Sequence, residues 1–112
     1  MRINKKYNEL LQYLDSATEG KKIKWEKVKD LKWYRAAIGN NAVVINKRYS
    51  KDGVNTGVSL LLYNDKGEEI DEIYTDSNYV EFCSLNQLYE SARRACLKVE
   101  ETLDEMLAVL KK

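Results

Sequence analysis

The chain has 112 residues, with a net charge of +1, two cysteines and neither histidine nor proline. That is the size and composition of one small globular domain, spanning residues 1–112, with room for one hydrophobic core. The near-neutral total gives no reason to expect a polyanion partner. The missing histidine removes the commonest general base and metal ligand. Cys83 and Cys96 are too few for a disulfide framework and too far apart for a zinc site.

The opening MRINKKYNEL has no apolar core of a secretory leader, and the longest apolar run, Val58 to Tyr63, is too short to span a bilayer. A cytoplasmic protein without a membrane partner is the expectation. Charge is unevenly spread. Residues 1–56 carry thirteen Lys/Arg and six Asp/Glu, whereas residues 57–112 carry six and twelve. The plainer consequence is attraction between the halves, within the fold or across a dimer. The sharper one is a basic binding face.

The first element is a helix over about 4–17. Tyr7, Leu10, Leu11, Leu14 and Ala17 form one apolar face, and Gly20 is a plausible stop. Residues 23–28 read as a short strand or extended lead-in. Residues 31–38 and 42–49 read as strands joined by Gly39-Asn40-Asn41, residues that tolerate positive φ. Residues 50–57 read as a loop, and 58–63 as a strand. Asn64-Asp65-Lys66-Gly67 reads as a type I turn closed by a glycine bulge, and 68–75 as the partner strand. The middle is therefore a four-stranded antiparallel meander, with a fifth short piece if 23–28 joins it. Leu60, Leu61 and Leu62 are consecutive, so alternation sends them to both faces and both faces should be partly covered.

Near the C-terminus, Ser84 and Gln87 suggest a capping box, with Cys83 and Leu88 as its hydrophobic staple. Apolar positions then recur through Leu110, which predicts one helix over 85–110 packed on the sheet. Leu97 lies off the stripe, and a break at Leu97–Lys98 is the alternative. A helix of 26 residues is about 40 Å long, whereas strands of this length reach about 20–25 Å. Its far end therefore overhangs and needs a partner. The expected fold is α+β: an N-terminal helix, the meander and the long helix.

No phosphate-loop, dinucleotide or nucleophile-elbow motif is present. No cofactor, metal site or catalytic residue is assigned, and an enzyme is not expected. Glu68, Glu69, Asp71, Glu72 and Asp76 form an acidic cluster in the last strand region. Alternation would pair Glu69 with Asp71 and Glu68 with Glu72, a minor reading as a small enzyme against the plainer one of a charged edge strand. The segment 21–35 interleaves Trp25 and Trp33 with Lys24, Lys32 and Arg35, a grammar suited to stacking bases and neutralising phosphates. Against it stands the plainer reading, in which both tryptophans face the core. The reading adopted is a non-enzymatic interaction module, an inhibitor- or accessory-type homodimer that binds another protein or a small anionic ligand. Arg93, Leu103, Met106, Leu107 and Leu110 are its expected dimer contacts. Nucleic-acid binding through 21–35 is the alternative.

Overall fold

The structure, a computed structural model, describes residues 5–29, 32–49, 56–76 and 82–112. Helix α1 (Lys5–Glu19) is followed by strands β1 (Trp25–Lys27), β2 (Trp33–Ile38), β3 (Asn41–Tyr49), β4 (Thr56–Tyr63) and β5 (Glu69–Asp76). Helices α2 (Phe82–Cys96) and α3 (Val99–Leu110) complete the chain. The strands form one antiparallel sheet in chain order. The α+β class is as expected, but the sheet has five strands, because the piece at 25–27 pairs with β2 through Trp25↔Ala36.

The turns follow from local chemistry. Gly39 and Asn40 join β2 to β3, with Ile38 opposite Asn41 and Gly39 at φ 62. Glycine at the first central position of a two-residue hairpin suits the right-handed twist of the strands. In the β4–β5 turn, the Gly67 amide donates to the Asn64 carbonyl at 3.0 Å, and Gly67 has φ 78. The Asn64 side chain accepts from the amides of Lys66 and Glu68. A register irregularity follows at Leu62/Tyr63. The loop expected at 50–57 falls mostly outside the described residues.

One face of the sheet holds the core. Trp25, Tyr34, Ala36, Val43, Ile45, Val58, Leu60 and Ile73 point to it. They meet Leu85, Leu88, Tyr89 and Ala92 of α2 and Leu11 and Leu14 of α1. Helix α2 lies across all five strands, and α1 packs beside α2. Lys47, Tyr34, Tyr89 and Glu90 seal one margin: the Tyr34 and Tyr89 rings meet edge-on at 5.7 Å, and the Lys47 ammonium lies 5.4 Å from the Tyr89 ring centre and 3.8 Å from Glu90. The pairs Lys47–Glu90, Arg48–Glu72 and Lys21–Glu101 join the basic first half of the chain to the acidic second half.

Two expectations for the C-terminus are corrected. Helix α2 begins at Phe82, so Ser84 and Gln87 lie inside it and form no capping box; Gln87 donates instead to Asp15 of α1 at 3.1 Å. The long helix is two helices, broken at 97–98, where Lys98 adopts φ 54. A non-glycine residue in that region costs about 1–2 kcal/mol. The ion pair Arg94–Glu100 spans the break, and Lys21, just past α1, pairs with Glu101 of α3. Among the elements, α3 touches only α2, so it does not pack on the sheet.

Leu60 and Leu61 are both buried, at 0% and 2% exposure, and Leu62 is half-buried. Two-sided burial of this strand thus holds, although the helices cover one side only. Leu60→Ala is expected to cost about 2–5 kcal/mol, and Leu61→Asp to lower the urea midpoint sharply by burying a charge. A midpoint unmoved by Leu61→Asp would refute closure of the second face.

Candidate functional site

The face of the sheet opposite the helices carries its own pattern, set by register. Trp33, Asn46, Ser59 and Tyr74 lie in one row across β2 to β5. The next row is Glu26, Arg35, Val44, Leu61 and Glu72. Ala42, Val44 and Leu61 are buried yet lie outside the cluster that meets the helices. Asn46 and Ser59 are fully buried, and neither the Asn46 amide nor the Ser59 hydroxyl has a hydrogen-bond partner. A β-carbon on Gly57 would overlap the Tyr74 ring and hydroxyl, so that side chain needs a glycine beneath it.

A groove of about 420 Å³ opens on this face. Ala42 and Val44 of β3 line it between Trp33 and Arg35 on one flank and Tyr63 on the other, with the 64–67 turn at its end. Trp33 is half-buried and Arg35 exposed. Glu26 is the register partner of Arg35, but the nearest ion pair to Glu26 comes from Lys24, at 3.9 Å. Among the described residues, no carboxylate pairs with the Arg35 guanidinium.

The basic segment is thereby divided. Trp25 is not a surface residue: it is 3% exposed and its indole N–H donates to the Thr18 hydroxyl at 2.8 Å. That hydroxyl in turn donates to the Leu14 carbonyl at 2.7 Å. Lys24 and Lys32 are exposed, and only Trp33 and Arg35 of the five expected contacts line the groove. Tyr63 and Val44 were missed by reading 21–35 as a linear segment, although strand alternation on the paired hairpins places them on the same face.

The acidic strand is divided as well. The irregularity at Leu62/Tyr63 sets Glu69 opposite Tyr63, while Asp71 lies opposite Leu62. Tyr63 donates to Glu69 on the helix-free side, and Tyr7 of α1 donates to Asp71 on the other. The expectation that Glu69 and Asp71 share a face is therefore overturned by one bulge. Among the described residues, no group of three His, Cys, Asp or Glu is placed to hold a metal ion.

The Tyr7–Asp71 bond carries a pH signature. Burial first, and then the bond to Asp71, push the Tyr7 phenol from 10.0 up to about 12. The same bond, helped by the Glu72 amide, holds the Asp71 carboxyl below its ordinary 3.8. The tyrosine contribution is complete below pH 10.0 and is lost as pH rises through about 12. The aspartate contribution is present above pH 3.8 and is lost as pH falls through the lowered value. Tyr7→Phe is expected to flatten both limbs of a plot of melting temperature against pH; unchanged limbs would show that the bond does not couple the two groups.

A second surface is the exposed side of α3. Val99, Leu103, Met106, Leu107 and Leu110 follow one helical stripe. Met106 and Leu110 are 57% and 78% exposed, and no residue of α3 is buried. Arg93, expected beside this stripe, instead pairs with Glu90 on its own helix at 3.1 Å. No helix among the described residues is long and apolar enough to cross a membrane. No protein-family model, curated protein or solved structure matches this chain, so its functional reading rests on these two surfaces.

Proposed function

We propose that this chain is a non-enzymatic interaction module that self-associates through α3. The observation that carries the reading is the apolar stripe of α3, which no other element covers. A contiguous apolar patch of this kind on a small protein marks an interaction site. Charge favours a second copy as the occupant. The start of α3 is acidic (Glu100, Glu101, Asp104, Glu105) and its end is basic (Lys111, Lys112). Two copies laid antiparallel set each acidic start against the other's basic end, and parallel pairing sets like against like. The two helix dipoles favour the same arrangement.

Arg94 and Lys21 already engage Glu100 and Glu101 within the chain, so the complement across the dimer comes from Lys111 and Lys112. Sedimentation at about 100 μM, where a micromolar dimer is nearly saturated, is the direct test. A dimer that dissociates on dilution is expected; a monomer throughout would remove the reading. The alternative of nucleic-acid binding loses one of its two stacking groups with the burial of Trp25. It would return only if retention on single-stranded nucleic acid fell steeply with salt.

A further inference from the structure

We infer that the groove on the helix-free face of the sheet is a binding site for a small planar aromatic carboxylate, held between Trp33 and Tyr63 with its anionic end on Arg35. Three observations converge on it. The groove, at about 420 Å³, has the volume of a small-ligand site. Its apolar lining, Ala42 and Val44, is flanked by the aromatic side chains of Trp33 and Tyr63, a residue type suited to contact with a planar ring. Arg35 stands at its margin without a carboxylate partner among the described residues, although its register neighbour Glu26 is one strand away.

Each feature narrows the ligand. A guanidinium offers a planar fork of donors that matches a carboxylate in two parallel hydrogen bonds. Arg35 is exposed, so the ligand gains from the pair mainly by covering it and excluding water as the ring settles on Val44. Asp65 lines the opposite end, in the 64–67 turn. Its charge repels an anion there and so directs the carboxylate toward Arg35. Gly67, also in the lining, has open space where a β-carbon would stand, which keeps that end clear. Beside the groove, in the adjacent row on the same face, the Asn46 amide and Ser59 hydroxyl are buried without partners and do not line it. That is a buried polar cost on the same face for which neither the helices nor the sheet ladder provides a reason.

The site lies on the opposite side of the sheet from α2, and no residue of α3 lines it. It is therefore independent of self-association, and the two fail separately. The test is amide chemical-shift mapping with naphthoate and, as its uncharged twin, naphthamide, on the full chain and on Leu103→Glu/Leu110→Glu. Naphthoate should perturb β2, β3 and the 64–67 turn in both proteins. It should bind at least about tenfold more tightly than naphthamide, the value of one charge-assisted hydrogen bond. Arg35→Gln should abolish that preference, and Trp33→Leu should weaken both probes; thermal melts report that each variant is folded. Equal binding of the two probes, shifts confined to α3, or an unchanged preference in Arg35→Gln would each overturn the inference.

Discussion

Trp25→Ala is expected to be the most damaging single substitution in the basic segment, at about 3–5 kcal/mol, whereas Trp33→Ala should fall within about 1 kcal/mol of the unmodified chain. The two residues share a side-chain type and a neighbourhood of lysines but face opposite sides of the sheet. Trp25 sits opposite Ala36 on the core face, against helices α1 and α2. Its removal leaves a cavity and also strips the Thr18 hydroxyl of its donor. Trp25→Phe separates these effects: it keeps most of the buried area and loses the hydrogen bond, worth about 0.5–1.5 kcal/mol. That loss is a large part of the about 5–15 kcal/mol of total stability expected for a small domain. Urea unfolding followed by circular dichroism checks the series. A stable Trp25→Ala protein would mean that the indole is not in the core and would restore the continuous basic, aromatic surface.

Leu103→Glu combined with Leu110→Glu should yield a folded monomer. Both side chains are exposed within one chain, at 45% and 78%, so a carboxylate at either position meets water and leaves the core intact. Across an antiparallel pair, the same changes place charge in the apolar seam. Loss of burial at each leucine is worth about 1.5–3 kcal/mol. Both copies carry both changes, so four leucines leave the seam and association weakens by at least about four powers of ten, at about 1.4 kcal/mol each. Sedimentation should show the mass halved, with the melting temperature extrapolated to low protein concentration unchanged. Lys111→Glu with Lys112→Glu should weaken the dimer less, because exposed ion pairs contribute about 0–1 kcal/mol each. It should also lose the preference for antiparallel pairing. Unfolding of the leucine variant would show that the stripe belongs to the core of one chain.

The helix break shows where pattern reading reaches its limit. The apolar positions continue in phase from Leu85 to Leu110, and no glycine or proline interrupts them. Periodicity therefore favours one helix. Between α2 and α3, Lys98 is in the left-handed conformation; Arg94 of α2 pairs with Glu100 across the break, and Lys21, just past α1, pairs with Glu101. Lys21 is eighty residues from Glu101, and no local rule brings them together. Leu97, off the stripe and 46% exposed, was the local sign of the break. The acidic strand makes the same point on a smaller scale. Alternation pairs Glu69 with Asp71, and a single irregularity at Leu62/Tyr63 sends them to opposite faces.

By itself, the sequence determined the element types, the two tight hairpins and the antiparallel class. These depend on interactions within a few residues: helical spacing in α1, glycine at positive φ in the 39–40 and 64–67 turns, and alternation in β2 to β5. It also pointed to cover on both faces at Leu60, Leu61 and Leu62, since alternation sends neighbours to opposite faces; Leu60 and Leu61 are buried and Leu62 is half-buried. Only the tertiary structure decided which tryptophan entered the core, which carboxylates faced each other, and that α3 leaves the sheet uncovered by its stripe. Each of those depends on register and on packing between elements distant in the chain, where a shift of one residue reverses the face a side chain presents. The groove beside Arg35 belongs to the same class: its lining comes from β2, β3, the end of β4 and the β4–β5 turn, and it exists only once those strands are paired.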